Sequence, residues 1–264
     1  MQLEANALRA LFRVYVDLRS FDRISLKIFL RTDIWRRIIE DRGFREASHI
    51  TRTTYIKWET QSLLNLVVRR AVRNEALRRH YSVDEAWVLL DIHRQRDLFY
   101  RMFPGQVDAG ERRAETFDWM LSRTRDGSGQ TAPRELIHLL LSARDVELKH
   151  HELGEDEPEG EAIIGRTALR GGLPEVSGVR LEQTIYAEHP LLKGWLELLS
   201  GEKTEQTPVT LARLWNMDPL RALALAAELV EVGFFERRGT KEAPTFWVPF
   251  LYRDALRMVQ GSAD

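Results

Sequence analysis

A chain of 264 residues with 44% apolar side chains, 30% charged side chains and a net charge of −1 has room for two modest domains and the balance of an ordinary folded protein. Cysteine is absent, which excludes disulfides and thiolate metal sites and fits a reducing compartment. No apolar run approaches the ~18 residues of a membrane span, and Met1–Asn6 has neither the charged start nor the apolar core of a secretion signal, so a cytoplasmic location away from membranes is expected.

In chain order, residues 3–18 place Leu3, Ala7, Leu8, Leu11, Phe12, Tyr15 and Leu18 on one helical stripe. Ile24–Leu30 is apolar, β-prone and of strand length, and helical spacing resumes from Ile34 to Ile39. One buried strand between two helices needs neighbours on both edges, so residues 1–45 read as the cut edge of a larger α/β domain. From Leu63 to about His151 the pattern is helical, interrupted at Pro104-Gly105 and at Asp126-Gly127-Ser128-Gly129. Trp58, Trp87 and Trp119 lie within apolar helical patterns and are expected to anchor the core. His150 to Glu161 is acidic and contains Gly and Pro; it reads as a solvated loop, because His150, His151 and Glu152 are adjacent rather than spaced as metal ligands.

After Gly171-Gly172-Leu173-Pro174 a different module is expected. Helices at Pro190–Leu199, Val209–Trp215 and Pro219–Val232 are followed by Gly233 as a terminating glycine. Two β-prone stretches follow, Phe234–Arg238 and Thr245–Val248. Three helices and a hairpin in this order spell a winged helix-turn-helix at about 186–249, with a last helix through Leu251–Val259. The fold class expected is therefore mainly α: a remnant edge of an α/β P-loop NTPase core (1–45), a helical lid with an acidic loop (46–185) and a C-terminal winged helix with a small β-hairpin (186–264).

The order strand–Arg–helix, helical lid, winged helix resembles the C-terminal part of STAND-type ATPases, relatives of the AAA+ proteins. Leu26–Leu30 with Arg31-Thr32-Asp33-Ile34 is similar to the sensor-1 strand of a bacterial STAND-like family, which shows an apolar strand followed by L-R-[ST]-D-I. Asp118-Trp119-Met120, Asp126-Gly127 and Pro133-Arg134-Glu135-Leu136-Ile137 resemble that family's lid. Tyr186–Pro190 and Val248–Arg253 resemble the edges of its winged helix. The departure is large: a phosphate loop needs G-x-x-x-x-G-K-[ST], and neither Gly-Lys-Ser nor Gly-Lys-Thr occurs. A Walker B strand is missing as well. The resemblance implies a fragment, a truncated product or one half of a split protein whose partner supplies the P-loop domain, with self-association as a further expectation.

The resemblance also implies site residues. Arg31 would sense the γ-phosphate of ATP, and Pro133 and Arg134 would open a sensor-2-like helix. ATP or ADP with Mg²⁺ would bind in the complete protein, with no nucleotide expected on this chain alone. The plainer readings are an Arg31 paired with a neighbouring Asp and a Pro133 that merely starts a helix; Asp33 reads as an N-cap. Residues 1–150 carry 27 Lys+Arg against 21 Asp+Glu, whereas residues 186–264 carry 9 against 11. The helix at 219–232 offers a DNA groove only Arg221, beside the repelling Glu228 and Glu231. Within the winged helix, Arg237, Arg238 and Lys241 on the wing are the candidates for nucleic-acid contact. Arg69-Arg70, Arg78-Arg79 and Arg112-Arg113 read as solvated faces. No Ser elbow, His-Glu-x-x-His or dinucleotide fingerprint occurs, so no catalytic residue is assigned. A nucleic-acid-binding module and a protein–protein adaptor are the alternatives to a nucleotide-sensing switch.

Overall fold

The computed structural model describes residues 2–31, 34–35, 38–39, 50 and 53–263. It is mainly helical, with one small mixed sheet. Contacts divide the chain into two compact units, Met1–Lys57 and Trp58–Asp264.

In the first unit, helix α1 (Gln2–Leu18) presents Phe12 to a small core. Phe12 and Ile38 are its buried members among the described residues, packed by Leu8, Ile28, Leu30, Ile34, Trp35 and Ile50. The Phe12 and Trp35 rings meet edge to face at 5.2 Å. The expected sensor strand does not form: residues 24–30 have no regular secondary structure. Ile28 and Leu30 turn inward while Phe29 between them is 80% exposed, the alternation of an extended segment with one face covered. The cause is physical. A strand buried on both faces needs flanking strands, and every strand among the described residues lies beyond residue 200. Of the sensor-1 motif, Thr32 and Asp33 lie outside the described residues.

In the second unit, three early helices start at short polar caps. After α2 (Thr60–Val72), Asn74 Oδ1 accepts from the Ala76 and Leu77 amides to start α3 (Glu75–Tyr81). Asp84 accepts from Trp87 N–H to start α4 (Glu85–Leu89), and Asp91 from His93 N–H to start α5 (Ile92–Met102). The helices α6 (Thr116–Thr124) and α7 (Pro133–Glu152) follow, the latter with Pro133 in its first turn, where a missing amide is harmless. Next come α8 (Arg166–Gly171) and α9 (Leu173–Arg180), the last running on as a π-helical turn to Tyr186. Gly171 and Gly172 sit at a close helix contact. A Cβ on Gly172 would lie 2.9 Å from the Ala143 amide, and one on Gly171 would lie 3.1 Å from the Val146 side chain. The glycines let α8 and α9 close on α7.

Beyond them come α10 (Lys193–Glu197), β1 (Lys203–Gln206), α11 (Pro208–Leu214), α12 (Pro219–Glu231), β2 (Glu236–Gly239), β3 (Pro244–Trp247), α13 (Phe250–Arg253) and β4 (Val259–Ser262). Thr207 and Thr210 form a capping box for α11, and Asp218 caps α12. The sheet order is β2-β3-β1-β4; β1–β3 and β2–β3 run antiparallel and β1–β4 parallel. Several expectations are corrected here. Phe234 and Phe235 are fully buried anchors ahead of β2 rather than part of it. The last helix stops at Arg253, because Arg257 turns left-handed (φ 50°) and the chain from Val259 pairs with β1. One apolar cluster runs from Leu63 to Leu256 and includes Trp119. Trp58 and Trp87, expected in the core, are 43% and 52% exposed, and Trp87 carries the Arg94 guanidinium over its ring at 4.2 Å. Among the described residues no helix is long and apolar enough to cross a membrane.

Candidate functional site

Of the residues singled out in the sequence, Pro133 and Arg134 occupy the most developed polar site. Helix α7 starts at Pro133, so Arg134 and Glu135 leave its first turn side by side. The Arg134 side chain is 66% exposed, and its Nη2 donates to Glu135 Oε1 at 3.1 Å and to Thr184 Oγ1 at 2.7 Å. Glu135 points the other way in accessibility: its side chain is 5% exposed. Its Oε1 also accepts from Arg180 Nη1 at 3.0 Å, while Oε2 is buried with no hydrogen-bond partner.

Arg180, at the end of α9, is 84% withdrawn from solvent, its side chain being 16% exposed. It pairs with Glu135 and lies 3.7 Å from Asp126 Oδ2. Burial works against its charge, but Tyr252, Glu135 and Asp126 together hold its proton more tightly than usual. Tyr252 is pushed up to about 12 by burial, with Arg180 opposing the shift, and its hydroxyl donates to Gly233 O at 3.2 Å. One carboxylate thus serves two guanidiniums, one facing water and one facing the core.

Asp126 ties this network to the end of α12. Its Oδ1 accepts from Ser128 N–H at 2.9 Å and Ser128 Oγ–H at 2.6 Å, which folds residues 126–129 into a tight turn. The turn presses on backbone: Gly127 N–H donates to Gly233 O at 2.7 Å, and a Cβ on Gly127 would lie 2.3 Å from Phe235 O. Only glycine fits that approach. Gly233 itself is left-handed (φ 77°), as the end of α12 requires. The Asp-Gly turn and the Gly233 carbonyl therefore add a backbone tie between residues 133–186 and residues 219–252, which also meet where Arg180 reaches Tyr252.

Arg31 lies in the first unit, exposed, with its carbonyl accepting from Trp35 N–H at 3.0 Å. It and Arg134 belong to different units. The three hairpin cations separate from one another: Arg237 and Lys241 are exposed, whereas Arg238 pairs with Glu236 at 2.7 Å and stacks over Trp247 at 3.9 Å. The solvent face of α12 carries Leu220, Arg221, Ala224, Ala227, Glu228 and Glu231, and Arg221 is engaged by Asp218 at 3.4 Å. That face offers little to a nucleic-acid groove.

The sequence reading missed Glu135, Arg180 and Tyr252 as one cluster; Pro133-Arg134-Glu135 and Asp126-Gly127 were the signals that led there. It also missed Arg123 and Arg253, which nothing in the linear pattern sets apart. Among the described residues no group of three or more His, Asp or Glu is arranged to hold a metal. Chemically the site can trade ionic partners at Arg134 and transmit the change through Glu135. Comparison with protein-family models, with curated proteins and with solved structures gives no match.

Proposed function

We propose that this chain is a non-catalytic switch module of the STAND type, in which a helical lid reads the phosphate end of ATP and a winged helix moves with it. The observation that carries the reading is the junction at Asp126, Gly127, Glu135 and Arg180. A nucleotide signal at the exposed Arg134 has a direct route through Glu135 and Arg180 to the Asp126 turn, which is hydrogen-bonded to the end of α12. The order α10, β1, α11, α12, β2, β3 supports a winged helix at about 186–249, with the hairpin as its wing. The Ala-rich, acidic outer face of α12 supports packing on protein over reading a DNA groove.

In this reading Arg134 would exchange Thr184 and Glu135 for a γ-phosphate, which a guanidinium binds through paired donors. ATP with Mg²⁺ would be held mainly by a P-loop domain in the same polypeptide or in a partner. Arg31 is a second candidate phosphate ligand, now without the strand that would have aimed it. The test is expression of the chain together with the coding sequence upstream of Met1. The expected result is Mg-ATP binding that Arg134→Ala weakens about tenfold, the worth of one charge-assisted hydrogen bond. Steady ATP turnover by the 264-residue chain alone, or nucleotide binding indifferent to Arg134→Ala, would overturn the reading.

A further inference from the structure

At the base of the hairpin three arginines from three elements share two aromatic rings. Arg123, on α6, lies over the Phe250 ring at 3.6 Å, and Arg253, on α13, lies over the same ring at 4.0 Å. Arg253 is also 4.4 Å from the Trp247 centroid, and Arg238, on β2, is 3.9 Å from it. The two rings meet edge to face at 5.5 Å. Cation and ring therefore alternate along Arg123, Phe250, Arg253, Trp247 and Arg238.

Among the described residues the acidic groups near this ladder form no salt bridge with Arg253, although Glu205 lies close enough to Arg238 to feel its charge. Glu236 holds Arg238. Asp108 is 3.7 Å from Arg123, but its carboxylate also accepts from the Trp119 indole and pairs with Arg170. Asp254 attracts both Arg123 and Arg253, with no hydrogen bond to either among the described contacts. Arg253 is the decisive member. It is 8% exposed; its Nε donates to Val248 O at 2.8 Å and its Nη1 to Gln260 Oε1, while its Nη2 is buried with no acceptor. A buried guanidinium nitrogen without an acceptor is costly, more so between two other cations. Burial, followed by repulsion from Arg123 and Arg238, lowers its affinity for its proton to a value of about 10. A purely structural cation–π staple would account for the stacking and leave that nitrogen unexplained.

We propose that Arg123, Arg238 and Arg253 form a binding site for a phosphate group. Trp247 and Phe250 gather the three guanidiniums into one cluster, and guanidinium N–H groups offer the fork-shaped contact that phosphate accepts. Both faces on offer are taken by arginine, so the site recognises the phosphate and not an attached base. Arg123 and Arg238, with side chains 21% and 41% exposed, form the accessible edge, and Arg253 forms the floor. This site is separate from Arg134 and does not depend on the switch reading.

The experiment is calorimetric titration of the full chain with inorganic phosphate against sodium chloride at matched ionic strength. A labelled DNA duplex followed by anisotropy forms a second arm. Phosphate is expected to bind with a dissociation constant of about 1 mM or tighter, and Arg123→Gln and Arg238→Gln are each expected to weaken it about tenfold. Arg221→Gln, outside the cluster, is expected to retain wild-type affinity. Circular dichroism and a thermal melt confirm that each variant is folded; Arg253→Met is the harsher variant and is read only if folded. Duplex binding that phosphate competes away, and that the same variants lose, would identify nucleic-acid backbone as the source. Phosphate binding without duplex binding would identify a free phosphate or monoester. Heat no larger than that of chloride, or phosphate binding unchanged in the folded Arg123→Gln/Arg238→Gln double variant, would overturn the proposal.

Discussion

The two compact units make opposite use of similar sequence material. Residues 1–57 expose Phe21, Ile24, Leu26, Phe29, Tyr55 and Ile56 and bury Phe12 and Ile38 among the described residues. Residues 58–264 bury an apolar cluster that spans nearly their whole length, and they also bury charge at Glu135, Arg180 and Arg253. The first unit buries few apolar side chains among the described residues, whereas the second buries a large cluster and still exposes Leu90, Leu191 and Leu220. In the second unit Glu135 Oε2 and Arg180 Nε are buried without a hydrogen bond, at a cost in stability.

The largest loss of stability is expected from substitution at Gly127. Gly127→Val places carbon 2.3 Å from the Phe235 carbonyl oxygen, against backbone that cannot yield cheaply. A loss of about 4 kcal/mol is expected, in the tail of point-substitution effects, read as a lower urea midpoint for the second unit. Glu135→Ala comes next. It leaves Arg180 with Tyr252 and with the Asp126 carboxylate at 3.7 Å, and breaking a buried pair from one side costs about 3 kcal/mol. Glu135→Gln, which keeps an acceptor, is expected to lose less by the same urea assay.

Phe12→Ala sharpens the comparison from the other side. It removes one of the two buried side chains described in the first core, at a cost of about 2–3 kcal/mol, at or below the usual range for so small a cluster. The expected readout is faster hydrogen exchange in α1 with the urea midpoint of the second unit unmoved. The smallest effect concerns Asp108. Partial burial raises its proton affinity, but the Trp119 indole and Arg170 more than reverse this, and the carboxyl titrates below its ordinary value. A depressed carboxylate contributes stability that is present above its unfolded pKa, about 4, and is lost as pH falls through the folded value. With a third of the side chain in water, the contribution is below about 1 kcal/mol. Asp108→Asn should flatten the acid limb of the urea midpoint against pH and leave the neutral limb nearly in place.

Local signals made the second unit's helices legible. Asn74, Asp84, Asp91, Thr207 and Asp218 each cap the helix that follows, and Gly233 closes α12 as its position in the sequence implied. The hairpin was also readable, displaced by one or two residues at its edges. What escaped is tertiary in origin. The β1 sequence, Lys203-Thr204-Glu205-Gln206, has no β-rich composition, and it is a strand because β3 and β4 flank it. The Ile24–Leu30 run has the composition and lacks the flanks. At the candidate site, Arg134 could be picked out beside Pro133, but the burial of Glu135 depends on Arg180, 45 residues further along the chain. The arginine ladder depends on α6 meeting α13, more than 120 residues later, a pairing that no local periodicity encodes.

Residues 133–186 and 219–252 are expected to behave as one body, joined by a shared apolar core, by Arg180 against Tyr252 and by the Asp126–Gly127 turn. Native-state hydrogen exchange under increasing urea tests it most directly, through the amides of Leu139 to Ala143 in α7 and of Ala226 to Leu229 in α12. The account predicts that both sets exchange through one opening with a common free energy, and that Gly127→Ala lowers both together. Two separate free energies in the wild-type chain, or a Gly127→Ala effect confined to one of the two helices, would contradict it.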